Sequence, residues 1–295
     1  MAKLLEKGTF FTEDLVKDLF NKAAGHSSLA KLGGNMPISF VGNEVFTFNM
    51  DDEVEMVGEG GKKSAGNVTV EPVKIVPVKV VYQTRVSDEF MYAAEEKKVE
   101  ILKAFNEGFA KKVARGLDIM AIHGVNPRTR ENAASITNCF AKLEGITKVE
   151  YNAAQIEENV ETAIAAVGEA YDVTGMAMAR PFSQALASLT VNGVKQYPEL
   201  GWGANPATVK GLPVDVNSTI NFNNAKDLAI VGDFKNAFKW GYAKQIPLEV
   251  IQYGDPDGTG KDLKAYNQVC LRAETYIGWG ILDAAAFARI TDEAV

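Results

Sequence analysis

Histidine and cysteine are nearly missing from this chain of 295 residues, which holds two of each. Cys139 and Cys270 cannot build a disulfide framework or a four-ligand zinc site, and neither has a CxxC partner. Both are expected as buried structural thiols of a protein made in a reducing cytosol. His26 and His123 have no acid or cysteine at ligand spacing, so no metal cage is expected. Basic charge is in deficit as well: 31 Lys+Arg stand against 38 Asp+Glu, a formal charge of -7. That balance argues against nucleic-acid binding as the main task, because neutralising phosphates needs a basic face. No apolar run approaches the ~20 residues of a membrane helix. The opening Met1-Ala2-Lys3-Leu4-Leu5-Glu6-Lys7-Gly8 turns charged before a secretory apolar region develops.

Catalytic signatures are equally scarce. There is no Gly-x-Ser-x-Gly elbow, and no Gly-x-Gly-x-x-Gly follows a strand. Gly58 to Ser64 has the composition of a phosphate loop in the wrong order. Gly260-Lys261 is followed by Asp262, which repels phosphate and offers no hydroxyl for a metal. Asp255, Asp257 and Gly258 start a calcium-type loop that lacks its third acid and closing glutamate, so a turn is expected. Asp51, Asp52, Glu53 and Glu55 read as a solvated acidic face. Neither an enzyme nor a cofactor is expected.

What is present is a globular composition, 46% apolar and 23% charged. A chain of this length buries roughly 75% of its unfolded surface, enough for one elaborate domain or two intertwined ones. The first 35 residues read as an arm, with one short helix started near Thr12 and carrying Leu15, Val16, Leu19 and Phe20. Residues 36–86 read as a long two-stranded excursion. Ile38, Phe40, Phe46, Phe48 and Met50 alternate on the way out, and Val78, Val80, Tyr82, Thr84 and Val86 on the way back. Pro72 and Pro77 each remove a ladder donor, which makes the returning strand an edge. Between the limbs lies a glycine-rich, charged stretch with nothing to bury. A hairpin projecting about 15 residues per side is poorly stable alone and makes sense if another chain supports it.

From Ser87 to His123 the apolar spacing predicts a strut-like helix. Phe105, Phe109, Val113, Leu117 and Met120 form its stripe and Gly124 its stop. Unbroken, it would run about 36 residues and ~54 Å. The second half predicts a helix over 152–171, a buried strand at 176–179, a helix opened by Pro181, and strands at 211–216 and 228–233. A large hairpin joins 248–253 to 267–276.

An arm, a glycine-tipped hairpin, a strut helix and a mixed second half, in that order, resemble the major capsid proteins of tailed bacteriophages with the Hong Kong 97 fold. The resemblance runs from about Met36 to Ile290. It is carried by Val57-Gly58-Glu59-Gly60-Gly61-Lys62-Lys63-Ser64, by Val78 to Glu89, by Met178-Ala179-Arg180-Pro181, by Gly232-Asp233-Phe234 and by Ala284-Ala285-Ala286-Phe287-Ala288. It implies an α+β fold with an N-terminal arm (1–35) and an extended E-loop hairpin (36–86). A peripheral domain on the spine helix (87–149 and 229–275) and an axial domain (150–228 and 276–295) complete it.

The implied function is structural: self-assembly through pentamers and hexamers into an icosahedral shell enclosing phage double-stranded DNA. The protein would be made in the host cytoplasm, end in the virion, contact no membrane and hold DNA without sequence specificity. Scaffolding from a separate gene, a portal and possible decoration proteins are the implied partners. Glu59, Gly60, Gly61, Lys62 and Lys63 are the expected intersubunit contact. In some relatives a hairpin-tip lysine attacks a neighbour's asparagine with help from a glutamate. Lys62, Lys63, Asn267 and Glu274 are the residues here to which that chemistry would fall. Asn267 and Glu274 differ by an odd number, so a regular strand would point them to opposite faces. An encapsulin-like nanocompartment shell is the alternative, and a soluble enzyme with no recognisable site the third reading.

Overall fold

The computed structural model describes residues 26–50, 54–66, 68–89, 98–168 and 171–293. The helix expected near Thr12 and the start of the strut at 90–97 lie outside them. The chain opens with α1 (Ser28–Leu32), capped by the Ser27 hydroxyl, which accepts from Ala30 N at 3.0 Å. Strand β1 (Gly34–Asn35) follows, then β2 (Asn43–Met50), β3 (Val68–Ile75) and β4 (Val78–Ser87). Helix α2 (Lys98–His123) is the strut. Phe109, Val113, Leu117 and Met120 face the core from it as one stripe, and Gly124 stops it at φ +64°.

Strand β5 (Thr147–Glu150), α3 (Ile156–Gly168), β6 (Gly175–Met178) and α4 (Arg180–Ser188) come next. Two short pieces, β7 (Thr190–Val191) and β8 (Val194–Lys195), form a small hairpin. Strands β9 (Thr208–Val209), β10 (Leu212–Val216) and β11 (Asp227–Gly232) lead into α5 (Phe234–Ala237). The chain closes with β12 (Phe238–Ile251), β13 (Gln268–Ile281) and β14 (Phe287–Thr291).

Two larger sheets result. One is ordered β1-β12-β13-β4, the other β5-β14-β11-β6-β10-β9. Strand alternation explains how the second sheet is covered on both faces. Met176, Met178, Ala229, Val231, Ala288 and Ile290 pack into a core with Ile156, Ala163 and Val167 of α3 and Phe182 and Leu186 of α4. Ala177, Ala179 and Ile230 turn the other way, into a core shared with α1, α2, Phe140, Phe234 and Phe238. A sequence run as apolar as Met176 to Ala179 is therefore a doubly covered strand.

The hairpin differs from the expected one. Strand β2 pairs antiparallel with β3, from Asn43 opposite Ile75 to Met50 opposite Val68, and Pro72 sits opposite Phe46. The expected return strand, β4, instead pairs with β13 from Val78 opposite Ile277 to Ser87 opposite Gln268. It is an edge strand of a different sheet, and neither proline lies in it: Pro72 is in β3 and Pro77 just precedes β4. The later hairpin is longer than its periodicity indicated, with Phe238 opposite Ile281 at its base and Ile251 opposite Cys270 toward its tip.

Candidate assembly surfaces

The β2–β3 hairpin is pinned at its base and free at its tip. Ile75 is fully buried, and Ile38 is nearly so. Both lean on β13, where Gly278 and Gly280 lack the side chains that would fill the slot. A Cβ on Gly280 would lie 2.7 Å from Ile75 Cγ1, and one on Gly278 would lie 3.0 Å from Ile38 Cδ1. At the other end all residues from Val54 to Gly66 are exposed, Val54 at 97% and Met56 at 98%. The tip turns at Gly60, φ +78°, with Gly61 N donating to Gly58 O at 2.9 Å. Ser64 clasps the two limbs by donating from its backbone (3.1 Å) and its hydroxyl to Glu55. Those bonds hold the Glu55 carboxyl below its ordinary pKa. Glu59, Gly60, Gly61, Lys62 and Lys63 occupy this tip, and all five are exposed.

The remaining crosslinking candidates lie elsewhere. Asn267 is not on β13 but in the turn before it, in the left-handed region at φ 53°, with its carbonyl accepting from Asp88 N at 2.9 Å. Glu274 sits within β13, opposite Val81 of β4, and is ion-paired to Lys79 Nζ at 2.9 Å. The fold thus gives Glu274 a cation of its own and places Asn267 at the strand's entrance.

Cys139 and Cys270 are buried and unbridged, and burial raises both thiol pKa values. His123 is held by a bond from Nε2 to Thr219 O at 2.8 Å, and burial pushes its pKa down. Among the described residues no group of three His, Cys, Asp or Glu is arranged to hold a metal, and no helix is long and apolar enough to cross a membrane.

One surface escaped the sequence reading: a groove of about 740 Å³ between β4, the middle of α2 and the loop 126–136. Its floor includes Val80, Tyr82, Phe109, Val113, Met120 and Ile136, and its rim Lys112, Arg115, Arg128 and Arg130. Arg115 and Arg130 both stand over the Phe222 ring, at 5.6 and 5.8 Å from its centroid. The tripeptide Arg128-Thr129-Arg130 was the sequence's one hint of it.

These surfaces belong to a fold already known from virus heads. The profile of the Phage capsid family matches residues 8–292. A structure from Gordonia phage Cozz is similar with TM-score 0.76 and 24% identity, over 91% of this chain and 87% of that one. One from Mycobacterium phage Ogopogo is similar with TM-score 0.72 and 30% identity, over 90% and 92%. The capsid of an empty GTA particle is similar with TM-score 0.63 and 15% identity, over 91% and 90%. No curated protein sequence matches the chain. A family profile that spans nearly all described residues, on a scaffold whose free surfaces suit assembly, makes this chain a member of the phage capsid family and a structural protein of a capsid shell.

Proposed function

We propose that this chain is the repeating tile of an icosahedral head that encloses double-stranded DNA, and that its hairpin braces a neighbouring copy. The observation that carries the reading is the contrast along one hairpin: Ile75 fully buried at the base, Val54 and Met56 almost fully exposed at the tip. Exposed valine and methionine side chains on a projecting loop give back apolar burial only when a second molecule covers them. Many modest contacts of this kind add up through multivalency in a closed shell.

In this reading residues 1–35 are the arm and 36–86 the bracing excursion. Residues 87–149 with 229–275 form the peripheral part, and 150–228 with 276–295 the axial part, whose loops meet at the symmetry axes. Scaffolding, portal and decoration proteins are the further partners it implies. The net charge of -7 suits a lining that holds packed DNA weakly. Synthesis in the host cytoplasm precedes assembly.

Sedimentation of the expressed chain, followed by electron microscopy, tests the reading. Closed shells of many copies are expected. A monomer or small oligomer under all assembly conditions overturns it. Gene neighbours encoding a portal and terminase, rather than a cargo enzyme, separate a phage head from an encapsulin-like compartment.

A further inference from the structure

Asparagine followed by glycine occurs once in the chain, at Asn192-Gly193, and aspartate followed by glycine once, at Asp257-Gly258. In such pairs the glycine nitrogen can attack the side-chain carbonyl carbon one residue back, because no Cβ crowds its approach. The fold treats the two pairs in opposite ways. Asp257 is gripped by the Arg85 fork, with Nε at 2.8 Å, and is held ionised with its pKa down at about 2. A carboxylate in that state has no leaving group to give up. Asn217-Ser218, where a small residue also follows asparagine, is locked too. Its Oδ1 accepts from Thr219 N at 3.2 Å, and its Nδ2 donates to buried Asp118 at 3.4 Å.

Asn192 has no such restraint. With Gly193 it forms the two-residue loop between β7 and β8, both residues left-handed at φ 51° and 79°, as in a type I′ turn. All residues from Thr190 to Lys195 are exposed, and a Cβ on Gly193 would meet nothing within 4 Å. Among the described residues no hydrogen bond holds the Asn192 side chain. Thr190 pairs with Lys195 and Val191 with Val194, and the two valines are 55% and 64% exposed. A hairpin so short, with no packed side chain, opens at little cost. Opening frees the Asn192 backbone to turn until its Cγ meets the Gly193 nitrogen.

We infer that Asn192 is a site of spontaneous deamidation, with water as the only co-reactant, which places a new carboxylate at the tip of the β7–β8 hairpin. The Gly193 nitrogen bonds to Asn192 Cγ as the Cγ–Nδ2 bond breaks. Ammonia leaves, carrying the proton that the nitrogen gave up, and a cyclic imide remains. Water then opens the ring at either carbonyl. Breaking the bond from the Gly193 nitrogen to Cγ leaves aspartate, which suits the same turn. Breaking its bond to the backbone carbonyl carbon leaves isoaspartate, whose chain runs on through Cγ. That extra carbon lengthens the loop and undoes the pairing of Val191 with Val194. Either product adds a negative charge to a chain already at -7. A consequence for assembly rests on the axial placement proposed above: identical loops meet around each axis, so the new charges face one another and repel.

The test incubates the folded full chain and maps deamidation by peptide mass. Asn192 is expected to convert about tenfold faster than any other asparagine, and faster at about pH 9 than at about pH 6, since the Gly193 nitrogen attacks once it has lost its proton. Asn192→Gln must close a larger ring and is expected to stay intact at that position. Asn217 is expected to react only after unfolding in urea, and isoaspartate at Asp257 to appear only in Arg85→Ala. Asn192 that stays intact in the folded chain but reacts in urea overturns the proposal, because the turn then protects it. Conversion no faster than at other asparagines overturns it as well. Aged wild-type chains are further expected to give fewer shells than aged Asn192→Gln chains. Equal yields with Asn192 converted overturn the axial consequence and leave the modification standing. Absence of shells from both chains when fresh removes the shell reading alone.

Discussion

Asp118 shows what a single buried carboxylate does here. It lies in the middle of α2, fully buried, and takes hydrogen bonds from Ser27 Oγ, Ser28 N (3.0 Å), Leu29 N (3.2 Å) and Thr219 Oγ1 (2.8 Å). The first described turn of the chain, the strut and the loop before Phe222 therefore meet on one side chain. Burial without a cation nearby pushes its pKa from 3.8 up to about 6, against the pull of those donors. A folded-state pKa above the unfolded one means that the native protein binds more protons between pH 4 and 6. This group's contribution is thus fully present below pH 4 and is lost as pH rises to 6, in all by about 3 kcal/mol. Asp118→Asn removes the charge, but its NH2 group must face a backbone donor, because Ser28 N bonds one carboxylate oxygen and Leu29 N the other. The variant should therefore start below wild type in unfolding free energy near pH 4, gain on it as pH rises through 6, and keep a constant difference from it above pH 7. Denaturant titrations of unassembled subunits across that range measure the difference. Wild type gaining on the variant as pH rises would mean that the hydrogen bonds outweigh desolvation. None of this was legible in sequence: Asp118 sits between Leu117 and Ile119 like any polar residue on a helix, and its partners are about 90 residues or more away in the chain.

At the scale of elements, local pattern located most pieces and failed on pairing. Alternation over 78–86 correctly marked a strand, yet the same signal over Val68–Ile75 was blurred by Glu71, Pro72 and Lys74, and it is that blurred strand which closes the hairpin. Which of two neighbouring strands pairs with β2 depends on β13, almost 200 residues downstream, which claims β4. One contact fastens that long-range pairing at its far end. Arg85 of β4 reaches Asp257 through Nε at 2.8 Å, Asp255 at 2.5 Å and Lys261 O at 2.9 Å. It thereby folds the loop 252–267 back over the sheet. The Arg85 fork holds the Asp257 carboxyl down at about 2. The acids and glycines that resembled a calcium loop are thus the seat of an arginine. Asp255 in turn holds the amides of Thr259 (3.0 Å) and Gly260 (2.7 Å). Arg85→Ala should leave β4 in its sheet but speed hydrogen exchange at those two amides several-fold, while Arg85→Lys, lacking the fork, should fall between. Unchanged exchange in Arg85→Ala would show that the glycine turns alone hold the loop.

At the scale of the whole particle, the question is whether shells of this chain are held by contacts or by covalent bonds. Attack by a hairpin lysine on a neighbour's Asn267 would need a neutral amine and a nearby group to take its proton. Glu274 is the group the sequence offers, and the fold occupies it: Lys79 sits 2.9 Å away, with its own pKa raised chiefly by that hydrogen bond. Asn267, in its left-handed turn ahead of β13, lies outside the strand that carries Glu274. Lys62 and Lys63 are at the exposed tip, but an ammonium arriving there meets a carboxylate already neutralised by its own chain. Assembled particles boiled in detergent should therefore run as a single band near 31.9 kDa. A ladder would show that a neighbour displaces Lys79 in the shell. Its loss in Lys62→Ala or Lys63→Ala would then identify the attacking amine, and its strengthening in Lys79→Ala would identify Glu274 as the base. With a single band, the shell is held by noncovalent contacts, and raising the salt concentration should loosen it to the extent that exposed charges hold it, since these are screened over about 10 Å at 0.1 M.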